Sequence, residues 1–161
     1  MRILGIDPGF AITGYSIIDY IGNKFKLITS GAILTEAHTS FPLRLEKIFK
    51  SIEEIIDNFK PEAVAIEELF FNNNAKTAIN VAQARGVILV SAKLKDVPIF
   101  EYTPLQVKQA VVGYGRADKE QVQSMVKIIL NEENLPKLDD TTDSMAIAIC
   151  HAHSFKFAKH L

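Results

Sequence analysis

Apolar positions change their spacing along the chain, and the change divides it into strands and helices. Ile3, Leu4 and Ile6 form a short run ended by Pro8-Gly9, the pattern of a buried strand entering a tight turn. Thr13 to Asp19 reads as a second strand, so strand, turn and strand make a hairpin that holds Asp7 near its tip. Gly22-Asn23 is a turn dipeptide, and Lys24 to Thr35 follows as a third strand. From Leu43 to Phe59 the period becomes helical, with Leu45, Ile48, Phe49, Ile52, Ile55, Ile56 and Phe59 in three- and four-residue steps. Pro61 ends that helix, and Ala63 to Ile66 leads as a buried strand into Glu67-Glu68. Ala75 to Leu94 predicts a long helix apolar on most sides, in which Gly86 marks either close packing or a tolerated weak point. Val97 to Tyr102 is a fifth strand, and Pro98 near its start points to a sheet edge. Thr103-Pro104 opens a helix that ends at Gly113. Asp118 with Gln121 forms a capping box for a helix to Leu130, and Asp139 or Asp140 starts a last helix through His153. Three antiparallel strands followed by alternating helix and strand predict an α/β fold. Its five-stranded sheet is mixed, antiparallel first and parallel later, with helices on both faces.

Composition narrows this picture. At 161 residues the chain is expected to be a single domain, residues 1–161, with ordinary hydrophobic (48%) and charged (23%) content. No apolar run approaches a membrane span and the N-terminus lacks a secretory pattern, so a soluble, intracellular protein is expected. The lone Cys150 excludes an internal disulfide framework and a cysteine-based zinc site. A net charge of −1 argues against a globally basic nucleic-acid binder, but the charge is unevenly spread. Residues 76–127 carry 8 basic and 4 acidic side chains, whereas the flanking segments are net acidic, so one face could still bind a phosphate backbone.

Four acids stand where acids are costly. Asp7 ends an apolar strand, where a desolvated carboxylate needs a cation, a metal or several donors, although an aspartate before Pro-Gly can also simply cap the turn. Glu67 ends a strand apolar on both faces. If the two strands run parallel and adjacent, Glu67 lies beside Asp7 while Glu68 points to the opposite face. Asp140 and Asp143, three apart, project from one face at the head of an apolar helix, where acids also complement the helix dipole. Asp139 reads as an ordinary helix-terminal acid. Four carboxylates without thiols form a hard oxygen set suited to Mg²⁺ or Mn²⁺. Two such ions, roughly 3.5–4 Å apart, would support in-line hydrolysis of a nucleic-acid backbone.

Gly-Ile-Asp-Pro-Gly at 5–9, Ala-Ile-Glu at 65–67, Val-Lys-Gln-Ala-Val-Val-Gly at 107–113 and Asp-Thr-Thr-Asp-Ser-Met-Ala at 140–146 together resemble the RuvC family of Holliday-junction resolvases. Their order and spacing match over nearly the whole chain. The resemblance implies a ribonuclease-H-like fold and a homodimer that nicks two opposed strands of a four-way DNA junction with Mg²⁺, in recombination and repair. It implies that Asp7, Glu67, Asp140 and Asp143 bind metal, that Lys108 and Lys119 approach DNA phosphates, with Lys119 also serving catalysis, and that Phe70 packs against unstacked bases. Branch-migration motor proteins as partners and the bacterial cytoplasm as the setting follow from the same resemblance. Tyr114 and Arg116, in a basic loop, are candidate backbone contacts, and one of Phe70 and Phe71 is expected to close the core or a dimer interface. His151 and His153 read as packing or surface residues, or as neighbours of the metal ligands. Because Glu68 directly follows Glu67, the two could exchange roles. Three other readings stay open: an ATP-binding domain of the actin-like type, a non-catalytic junction-binding protein, and a nuclease acting on RNA-containing substrate.

Overall fold

In the computed structural model, which describes residues 1–69 and 75–158, the sheet is built outward from its first strand. β1 (Arg2–Asp7) pairs antiparallel with β2 (Ile12–Ile21) on one side and parallel with β4 (Ala63–Glu67) on the other. β3 (Lys24–Leu34) and β5 (Ile99–Tyr102) form the edges, giving the order β3-β2-β1-β4-β5. Gly22 and Asn23 both have positive φ, as a two-residue hairpin turn requires. β5 begins one residue after Pro98, whose carbonyl accepts from the Val64 amide, so the proline lies just outside the edge strand.

Among the described residues, five helices cover the two faces: α1 (Phe41–Phe59), α2 (Ala75–Leu94), α3 (Pro104–Val112), α4 (Lys119–Leu130) and α5 (Asp139–Ala158). Strand alternation divides the core. Leu4, Ile6, Ile17, Val64 and Ile66 face α1 and α2 with Ile48, Ile52, Ala84 and Ile88. Ile3, Ile18 and Ala65 face the other way, onto α5 and the α3–α4 pair, with Met145, Ala148, Val107, Val111 and Val126. α5 lies against the middle of the sheet, and its residues from Met145 to Cys150 are all buried, which explains why it shows no polar stripe.

Two glycines let α5 approach this closely. A Cβ on Gly5 would overlap the Ser144 carbonyl and the Ala148 side chain, and one on Gly14 would overlap the Asp140 carbonyl. Gly14 is the register partner of Asp7, so the glycine that admits the head of α5 lies beside the acid at the end of β1. Gly86 has no such role: a Cβ there would meet open space, and the helix simply tolerates it.

Candidate active site

Asp7 and Glu67 end neighbouring parallel strands in matched register, Ile6 lying opposite Ile66. Both fall on the α5 face, because Ile3, Gly5 and Asp7 alternate with Leu4 and Ile6, and Ala65 and Glu67 with Val64 and Ile66. Glu68 is exposed, and its amide donates to the Tyr102 carbonyl at 2.8 Å. The turn after Asp7 is clamped: Thr13 Oγ1 donates to the Gly9 carbonyl and Thr35 Oγ1 to the Phe10 carbonyl, each at 2.6 Å. Arg44 donates to Thr35 Oγ1 at 2.9 Å and lies 3.8 Å over the Phe10 ring, which stacks on Phe41.

The first turn of α5 brings Asp140 and Asp143 toward these strand ends. Thr141 Oγ1 donates to the Gly31 carbonyl on β3, which anchors the helix head to the sheet, and Ser144 Oγ donates within the helix to the Thr141 carbonyl. A cleft of about 260 Å³ opens here, lined by Glu67, Lys108, Lys119 and Asp143 over an apolar floor of Val107, Val122 and Ile147. The opposite wall comes from α3 and α4. Each of these helices starts with a complete capping box, Thr103 with Gln106 and Asp118 with Gln121, which fixes where Lys108 and Lys119 project.

Burial and mutual repulsion mark the acids. Burial first, then the nearby Glu67, Asp143 and Asp140 charges, push the Asp7 carboxyl up to about 8, with Lys119 pulling the other way. Glu67 is pushed up to about 7 by burial and Asp143, opposed by Lys108. Burial also raises Asp143, against the pull of Lys119. These acids are half-buried, and Asp7 and Glu67 are repelled by neighbouring carboxylates, a condition that attracts a cation. No three His, Cys, Asp or Glu side chains among the described residues converge into a finished cage, so the site is an electrostatic cluster of oxygens and not a preformed chelate. Its donor set fits a hard divalent cation.

Lys119 bonds Asp139 at 2.9 Å and lies 3.7 Å from Asp143. Asp139 also accepts from Gln123 Nε2 at 3.1 Å. Asp139 is therefore more than a helix-terminal acid: it holds the lysine of the cleft. Two residues on different helices meet here, and the sequence carried no local sign of it. Tyr114 donates to Gln121 at 2.7 Å, and Arg116 is exposed on the same turn; both stand outside the lining of the cleft. Phe70 and Phe71 lie outside the described residues. His151 Nδ1 is 2.7 Å from the Tyr102 hydroxyl, buried among Phe100 and Phe155, and His153 Nδ1 is 2.9 Å from the Ala110 carbonyl. Both histidines are thus packing residues, outside the lining of the cleft.

The family model for crossover junction endodeoxyribonuclease RuvC matches residues 3–151, which takes in all four acids. The chain belongs to the RuvC family. It is similar to crossover junction endodeoxyribonuclease RuvC of Alkaliphilus metalliredigens (strain QYMF), 58% identical over 157 residues that cover 98% of this chain and 96% of that one. Among solved structures, Thermus thermophilus RuvC superposes with a TM-score of 0.92 at 35% identity, covering 98% of this chain and 97% of that chain. T. thermophilus RuvC in complex with a Holliday junction substrate superposes with a TM-score of 0.90 at 34% identity, covering 98% and 96%. These matches to RuvC establish the ribonuclease-H-like fold that the strand order describes.

Proposed function

We propose that this protein is a junction-resolving endodeoxyribonuclease that hydrolyses phosphodiester bonds in two opposed strands of a four-way DNA junction. The observation that carries the reading is that Asp7, at the end of β1, lies within the repulsion of Glu67, Asp143 and Asp140, beside a cleft that Glu67 and Asp143 line together with two lysines. Asp7, Glu67, Asp140 and Asp143 would hold Mg²⁺, with Mn²⁺ able to substitute, as two ions per site. Bound ions of this kind supply a stronger hydrolytic water at neutral pH and neutralise charge at the scissile phosphate.

The chain's own residues do the rest. Lys108 and Lys119 bind the phosphates that flank the cleaved bond, and Lys119 neutralises charge on the leaving side from its place beside Asp143. The clamped turn after Asp7 and the anchored head of α5 keep the acids from drifting apart. Val107, Val122 and Ile147 keep bulk water from the cleft floor. Tyr114 and Arg116 meet the DNA backbone farther out, and Phe70 stacks on an unpaired base at the crossover.

A paired cut needs two sites related by symmetry, and the outer face of α2 offers the surface for a homodimer. Ile79, Val90 and Leu94 are 56, 53 and 65% exposed there, at helical spacing along one face with the open Gly86 between them. Branch-migration motor proteins are the proposed partners, and the bacterial cytoplasm the proposed setting.

The test compares an immobile four-way junction with a linear duplex of the same sequence, each with Mg²⁺, for the wild type and Asp7→Asn. Symmetric paired nicks in the junction alone, lost in the variant, are expected. Binding without cutting under several metals would support a non-catalytic junction binder, and equal cutting of duplex and junction would sink the resolvase reading.

A further inference from the structure

We propose that Arg85 is a positioning residue for the metal-binding acid Glu67. Glu67 is the last residue of β4, and the Glu68 amide makes one further bond to β5. Arg85, on α2, reaches back to this point: its Nε donates to the Glu67 carbonyl at 3.1 Å, and its Nη2 bonds the Glu101 carboxylate on β5. Glu101 is the register partner of Ile66, so one guanidinium joins a helix to both strands that meet at the mouth of the site. The Arg85 side chain is only 14% exposed, whereas Glu101 is 47% exposed.

That asymmetry separates two roles. Glu101 without its partner would still be solvated, so the ion pair by itself adds little. The strand-end peptide is different: its amide is held from β5 by the Tyr102 carbonyl, and Arg85 supplies from α2 the donor for its carbonyl, so the peptide that follows the Glu67 Cα is pinned from both sides. The Glu67 carboxylate projects toward α5 and depends on this peptide for its direction. Arg85 thus acts on the site through backbone, from the face of the sheet opposite the acids. A planar guanidinium meets the carbonyl and the carboxylate with two separate nitrogens in a fixed geometry, whereas a lysine has only one nitrogen to place.

The inference rests on Glu67 being part of the metal-binding set, and the test keeps the two apart. Mn²⁺ binding to the metal-free protein is followed by electron paramagnetic resonance, without DNA, alongside thermal melting. Arg85→Met is expected to weaken Mn²⁺ binding on the order of tenfold, the low end for residues that orient metal ligands. Glu101→Gln keeps the bond to the carbonyl, and is expected to change the melting temperature little and to leave Mn²⁺ affinity within twofold. If Arg85→Met does not fold, Arg85→Lys decides, since it can keep the ion pair but not both bonds; an affinity equal to the wild type's would overturn the role. Parallel losses of melting temperature in the Met and Gln variants, with unchanged Mn²⁺ affinity, would likewise reduce Arg85 to a brace. Absence of Mn²⁺ binding by the wild type would overturn the metal-site reading and this role together, whereas wild-type binding that Asp7→Asn abolishes leaves only Arg85 at issue.

Discussion

Asp7 is held in its folded environment with its carboxyl pushed up to about 8, and Glu67 with its own pushed to about 7. Both bind a proton more tightly folded than unfolded, so the stability they contribute is complete below the ordinary carboxylate range and is lost as pH rises toward 8. The buried His151 imidazole, pushed down to about 4, opposes them by gaining stability as pH rises toward 6.5, so without divalent ions the net fall in melting temperature is expected between about pH 6.5 and pH 8. Asp7→Asn should flatten that slope, and at pH 8 should be more stable than the wild type by on the order of 2 kcal/mol. Melting curves in chelator from pH 4 to 9 check this; a variant less stable than the wild type at pH 8 would contradict the burial and repulsion assigned to Asp7. The lysines report on DNA instead. Lys108→Gln and Lys119→Gln should each lower the slope of log junction affinity against log salt by about 0.9, the value for one lost phosphate contact. Binding titrations across a salt series would show it, and an unchanged slope would remove that lysine from the contact surface.

The elements that carry the acids are fixed by close packing as much as by sequence pattern. Gly14→Ala would force a methyl against the Asp140 carbonyl, and the head of α5 would have to retreat. The expected cost is about 1–3 kcal/mol of stability, as for other overpacked sites, with a larger proportional loss of cleavage because Asp140 and Asp143 move with the helix. Chemical denaturation beside a cleavage assay separates the two. Asp118→Ala removes the cap of α4 and should cost about 1 kcal/mol while loosening Lys119, read as slower cleavage at unchanged Mg²⁺ requirement. Much at this scale was legible beforehand. The period-two alternation of Ile3 to Asp7 and Ala63 to Glu67 puts both acids on one face, and register then makes them neighbours. The capping boxes at Asp118 and the helix opening at Thr103 announce themselves locally for the same reason. Lys119 with Asp139 and Arg85 with Glu67 did not, because each pair lies on separate elements whose meeting is decided by how helices settle on the sheet. Gly86 was ambiguous because a glycine within a helix has the same appearance whether or not a neighbour fills the space.

At the scale of the molecule, the sheet separates two tasks. α3, α4 and α5 build the cleft on one face, and α1 and α2 cover the other. Charge substitution on the outer face of α2, as in Ile79→Glu with Val90→Glu, should leave the fold intact and yield monomers by sedimentation, with single nicks replacing paired ones on a junction. A dimer unaffected by both changes would move the interface elsewhere. The topology also has a temporal side. β1 is the first strand made, yet its parallel neighbour β4 is synthesised some sixty residues later, and Asp140 and Asp143 belong to the helix that follows every strand. At roughly 5–20 residues per second, a ribosome releases Asp7 many seconds before the acids that complete the set. Until α5 emerges, the sheet face it will cover has no lid and the proposed metal-binding set lacks Asp140 and Asp143. On the proposed function, a nascent or prematurely terminated chain that lacks α5 is disarmed by the order of its own synthesis.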